Sequence, residues 1–196
     1  KKKKTLRYRR LTDSLFATDE SALRAILWEM TVELDPIWIL ALDADELLET
    51  RSVKELLAIT SQKTFDLITF PVYHFWGDLL HYRVDHYWNP YLSRTACLYR
   101  YQKDLSYHWP SRKLHCGRFP IEAASAPRLS SPIRLFHLGY ANKKEHYQKY
   151  HNYLSLDPQG DLCPPLHYRS IIDPNPRLRK WKGEKLEELL CGPVSS

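Results

Sequence analysis

Apolar residues at Leu23, Ile26, Leu27 and Met30 recur at helical spacing and predict a helix over 18–34. Thr18 is placed to cap its start. Asp19 and Glu20 suit the positive end of its dipole, and Asp35-Pro36 ends it. The period then changes. Ile37-Trp38-Ile39-Leu40-Ala41-Leu42 is a short continuous apolar run, which predicts a strand buried on both faces at the centre of an α/β sheet. The acidic turn Asp43-Ala44-Asp45-Glu46 follows directly. Ser52 and Glu55 form a capping box ahead of Leu56, Leu57 and Ile59, so a second helix begins near Ser52. Residues 65–73 read as a second strand. Helix, strand, acidic turn, helix, strand is the alternation of an α/β layer.

Residues 74–120 differ in character. They are rich in Tyr, Trp, His and Arg, and a short strand is expected over 96–101. Ala, Ser and Pro make 121–132 a loop, and 133–138 a further strand. Asn142 and Glu145 repeat the capping pattern for a helix running to about Leu156, ended by Asp157-Pro158. The proline-rich segment 158–176 should wrap the surface before a last short helix around 184–190.

The length of 196 residues, 43% hydrophobic, suits one domain with a core, and no apolar run is long enough for a membrane span. Lys1 to Lys4 open a basic start, but no apolar stretch with a cleavage site follows, so a cytoplasmic protein is expected, in possible contact with a membrane surface. The net charge of +6 fits an anionic lipid surface, a phosphorylated substrate, nucleic acid, or simply a solvated surface. Four scattered cysteines contain no C-x-x-C pair, which argues against a zinc ribbon and for reduced thiols. Only six glycines occur, none in a phosphate-cradling loop. A bound diphosphate would then depend on a divalent metal held by carboxylates.

Two aspartates one residue apart at the end of a buried strand are costly unless their charge is compensated. In extended backbone, positions i and i+2 point the same way, so Asp43 and Asp45 could converge on one cation. The plain alternative is a polar turn or helix cap. Strand ends are also where open α/β sheets bind ligands.

The segment Pro36-Ile37-Trp38-Ile39-Leu40-Ala41-Leu42-Asp43-Ala44-Asp45-Glu46 resembles the signature of bacterial family 2 glycosyltransferases, which have the GT-A fold. Glu20 to Trp28 resembles the helix before that strand. Phe136-His137-Leu138-Gly139-Tyr140 resembles the family's H-x-G-Y/W element, and Tyr168 to Asp173 with Pro176 and Trp181 its closing segment. The resemblance implies a partial GT-A fold, a mixed sheet flanked by helices. It implies transfer of a sugar from a nucleotide-diphosphate sugar to a glycan, lipid or protein acceptor. Asp43, Asp45 and His137 would hold Mn²⁺ or Mg²⁺, with Lys143 and Lys144 near the diphosphate. The family's early K-N-E and D-x-S-x-D stretches do not occur before Asp43, so the chain is expected to lack the base-binding segment.

An inverting transferase needs a carboxylate base. Asp85 is the candidate, because it lies among aromatics suited to sugar rings, although a pair with Arg83 is the simpler role. Trp76, Trp88 and Trp109 are candidates for the acceptor groove, against an ordinary place in the core. His115-Cys116 is read as structural. The competing readings are a metal-dependent nucleotidyl or phosphoryl transferase and a binding module in which residues 74–118 grip nucleic acid or glycan. Nucleic acid is not the expected partner.

Overall fold

The computed structural model describes residues 15–191; the basic start lies outside them. A one-turn helix, α1 (Leu15–Thr18), precedes α2 (Glu20–Val32). Asp19, not Thr18, is the N-cap of α2 and accepts a hydrogen bond from the Ala22 amide at 2.9 Å. The helix is anchored by Trp28, 7% exposed. Its indole meets the rings of Tyr99, Tyr101, Tyr107, Trp109 and Phe119 at centroid distances between 4.8 and 6.5 Å. Truncating such a side chain costs about 3–5 kcal/mol.

The strands are β1 (Trp38–Leu40), β2 (Glu46–Leu48), β3 (Leu67–Trp76), β4 (His81–Arg83), β5 (Arg94–Arg100), β6 (Arg128–Ser130), β7 (Leu135–Tyr140) and β8 (Leu178–Lys180). They form one curled mixed sheet flanked by helices. Its main path runs β1-β5-β3-β4-β8. The long strand β3 is the hub. Its first half lies antiparallel to β5 and parallel to β6, and its second half parallel to β7.

The apolar run before the acidic turn is therefore not central. Among the described residues β1 pairs only with β5, and Ile37 is 71% exposed. A continuous apolar run satisfies either two covered faces or one face plus an edge, and run length alone does not separate them.

The helix α3 (Ser52–Ser61) starts where expected, but the residue at its N-cap position is Arg51 and no side chain caps it; Glu55 approaches Arg51 at 3.9 Å instead. β3 extends beyond the expected strand to include His74-Phe75-Trp76. The expected loop at 121–132 holds a 3-10 turn (Ile121–Ser125) and β6. Asn142 caps a 3-10 turn (Lys143–Glu145) by accepting from the Lys144 amide, and bonds Glu145 at 2.7 Å, before α4 (His146–Leu156). The proline-rich segment contains α5 (Pro165–Ser170), with proline at the first helical position, where its missing N–H costs nothing. The last helix is α6 (Leu186–Cys191). Among the described residues no helix is long and apolar enough to cross a membrane.

Candidate functional site

The acidic turn reverses the chain between β1 and β2. β2 pairs antiparallel with β7, which sets Glu46 opposite His137, and the Leu138 amide donates to the Asp45 carbonyl at 2.8 Å. β7 runs parallel to β3 with His74 beside His137. Two pairings thus carry residues far apart in sequence to one place.

The carboxylates of the turn have different environments. Asp43 lies between Arg24, at 2.8 Å, and Arg118, at 3.3 Å. Burial pushes its carboxyl up, but the two guanidinium groups outweigh that and hold it below the usual range. Glu46, buried, takes both arms of Arg118 at 2.5 Å and also accepts from the Asp43 amide at 2.9 Å. Asp45 is the open member, its side chain 42% exposed. Its Oδ2 is 3.8 Å from His137 Nε2 and 4.0 Å from Lys149 Nζ on α4.

Gly139 makes this convergence possible. A Cβ there would collide with Asp45 Oδ2 and crowd His137 Cε1 at 2.7 Å and Lys149 Nζ at 2.9 Å. Its φ is not the reason; space is.

His137 packs against His74, with ring centroids 4.9 Å apart. The Nδ1 atoms of both rings are buried with no hydrogen-bond partner. Burial lowers the pKa of each. Lys149 adds to the effect at His137, while the Asp45, Glu46 and Asp43 carboxylates oppose it; His137, His167 and Arg83 add to it at His74. Both are neutral imidazoles at neutral pH, the form that ligates cations. Next to them opens a cavity of about 420 Å³, lined by Asp43, Glu46, Trp88, Arg118, Tyr153 and His167 among others.

The other sequence candidates divide. Trp88 lines the cavity and donates its indole N–H to the Ser170 hydroxyl at 2.8 Å. Trp76, 4% exposed, is packed between Tyr140 and Trp88 and does not line it. Trp109 sits in the cluster around Trp28 and does not line this cavity, but it shares a neighbouring hollow with Arg24 and Arg118. Lys143 and Lys144 are exposed at the start of the 3-10 turn, and the lysine that faces the acidic turn is Lys149, one helical turn further on. Asp85 is paired through Oδ2 with buried Arg83, while its Oδ1 is buried without a partner. Arg83 also donates to the Ser170 carbonyl at 2.5 Å and to Asp173 at 3.1 Å, and lies 4.3 Å over the Trp76 ring. His115 is a cavity residue, with Nε2 3.1 Å from the Tyr168 hydroxyl. Cys97, Cys116 and Cys163 are free thiols.

Arg24, Arg118, Lys149, His74 and His167 went unforeseen in the sequence. A basic residue carries no local signal of the carboxylate it will meet across the fold. Among the described residues no group of three or more His, Cys, Asp or Glu side chains is arranged to hold a metal ion. Of the three residues expected to hold one, Asp45 and His137 lie 3.8 Å apart, and Asp43 is taken up by two arginines. Comparison with models of known protein families and with curated proteins found no match.

Proposed function

We propose that the protein is a glycosyltransferase of GT-A type that transfers a sugar from a nucleotide-diphosphate sugar to a hydroxyl-bearing acceptor, assisted by Mn²⁺ or Mg²⁺. The observation that carries this reading is the meeting of Asp45, His137 and Lys149 over Gly139 at the end of β1, beside the cavity. A half-exposed carboxylate next to a neutral, partly unpartnered imidazole fits a hard cation that keeps substrate phosphate oxygens in its shell. When bound, the cation supplies Lewis-acid neutralisation of the leaving diphosphate.

The chain's own groups would do the rest. Asp45 and His137 hold the cation. Asp43, fixed between two arginines, holds the turn in shape and places Arg118 at the cavity. Lys149 faces the departing diphosphate. The acceptor oxygen forms its bond to the anomeric carbon as the carbon–diphosphate bond breaks; Asp85 lies behind the cavity wall with its Oδ1 buried, so the hydroxyl proton would reach it by way of His167, which lines the cavity next to it. Trp88 reaches the cavity only by its edge, being 4% exposed among His74, Trp76, Tyr140 and His167, and helps to shape the wall.

Calorimetry of Mn²⁺ with a nucleoside diphosphate tests the reading. Wild type should bind the pair more tightly than either alone, and Asp45→Ala and His137→Ala should weaken binding by about tenfold to a hundredfold. Equal binding by wild type and Asp45→Ala would overturn it. Turnover of nucleoside triphosphates but not nucleotide sugars would favour a phosphoryl or nucleotidyl transferase instead.

A further inference from the structure

A second cavity, of about 620 Å³, is walled by Tyr73 of β3, Tyr82 of β4, Tyr91 and Trp181. It lies across the sheet from the acidic turn. Successive side chains of a strand point to opposite faces, so Tyr73 enters this cavity while His74 enters the other. The proposed transfer uses none of it.

Its charge is one-sided. Arg134, Arg179, Lys180 and Lys182 line it, and no lining residue is acidic. The nearest carboxylates are already engaged. Glu49 is buried against Arg134 and Arg51, both at 2.8 Å, and Glu184 accepts from the Thr50 amide at 3.0 Å. Among the described residues no ion pair engages Arg179, Lys180 or Lys182. Arg179 instead donates to the Tyr91 hydroxyl at 3.1 Å. The Tyr82 and Tyr73 phenols lie near enough to that of Tyr91 to influence it, and all three line the concavity.

Three unneutralised cations around one hollow repel each other, and an anion offsets that cost. A guanidinium fork, two ammonium groups and a phenol together match a doubly charged, multi-oxygen anion better than a single carboxylate. Arg134 stands 4.9 Å over the Trp181 ring and Arg179 5.8 Å over that of Tyr91, so the aromatic rings set the positions of two of the cations around the hollow.

We propose that this cavity is a second ligand site, which binds a phosphate ester carried on a small polar body. The ester could be a soluble sugar phosphate or a phospholipid headgroup, since both present the same group. The inference does not rest on the transferase reading.

The test uses glucose 6-phosphate in calorimetry at low salt, and flotation with phosphatidylcholine vesicles with and without phosphatidylglycerol. The double variant R179Q/K182Q changes two exposed side chains and should fold normally. K54Q/K63Q, equal in charge and exposed elsewhere, is the control. Glucose 6-phosphate binding weakened at least about tenfold by R179Q/K182Q and less than about twofold by the control supports a soluble ester. Loss confined to phosphatidylglycerol vesicles, with the same selectivity, supports a headgroup. No binding in either arm, or equal loss in both variants, overturns the site. Asp45→Ala, with no metal or nucleotide present, should leave both arms unchanged, so this result stands apart from the fate of the transferase reading.

Discussion

Tyr73 and His74 are neighbours on β3, and Tyr82 and Arg83 on β4, yet each pair divides between two settings. On the side of His74 most charges are matched: Asp43 has two arginines, Glu46 has Arg118, and Arg83 has Asp85 and Asp173. Among the described residues of this side, Asp45 is left half-open, and Arg94 lines the cavity bonded to Thr69 and Ser131 with no carboxylate partner. On the side of Tyr73 the cations outnumber the acids, and aromatic rings replace imidazoles. One sheet thus separates a nearly balanced polar site with a single open carboxylate from an unbalanced basic one. Electrostatic character is here a property of a face, and local composition averages it away.

The largest expected effect comes from removing Arg83, 1% exposed. Arg83→Ala strands Asp85, Asp173 and the Ser170 carbonyl and should cost about 3–5 kcal/mol in urea unfolding. A loss under about 1 kcal/mol would mean that the tail is held by other contacts. Gly139→Ala comes next. The Cβ meets the ends of the Asp45, His137 and Lys149 side chains, so it should push them aside at a cost of about 1 kcal/mol or less and abolish metal–nucleotide binding, yet leave glucose 6-phosphate binding at the other face intact. Damage to both faces would break the separation drawn here.

Acid should strain the two faces unequally. Burial leads the lowering of His74, His115, His137, His146 and His167, and four of these five line the first cavity. In the unfolded chain they protonate near the ordinary value of about 6.5, while in the fold they resist. The unfolded state therefore binds more protons below that pH, and stability, fully present above it, falls as pH drops toward the lowered folded values. Each of the less exposed groups contributes up to about 1.4 kcal/mol per pH unit in that window, and exposed His115 much less because solvent screens it. Melting temperatures between pH 7.5 and 5 check this, and a rise on acidification would contradict it. The smallest effect is expected at the open edge: Ile37→Lys should change stability by no more than about 0.5 kcal/mol but reduce any self-association seen in light scattering.

Much of this was legible in the sequence where the signal is local. The helical spacing of Leu23, Ile26, Leu27 and Met30 falls within α2, and the Asn142 capping pattern precedes α4. The run before Asp43 is a strand, but its place at the edge depends on β5, which begins more than fifty residues later. The candidate site follows the same rule. Asp43, Asp45 and His137 stood out because they cluster in short motifs. Arg24, Arg118 and Lys149 belong to the site only through pairings and helix packing that no window of sequence contains. Trp76 and Trp88 are both buried among rings, 4% exposed each, and differ only in that Trp88 also touches the cavity, which no local pattern announces.

The parallel pairing of His74 with His137 has a consequence for how the gene can change. A point substitution within 67–76 or 135–140 alters one face. A single inserted or deleted codon there would turn every following side chain to the opposite face, carrying tyrosine into the acidic site and histidine into the basic one. Length variation among descendants of this chain should therefore collect in the connections around these two segments, and their spacing should outlast much of their composition.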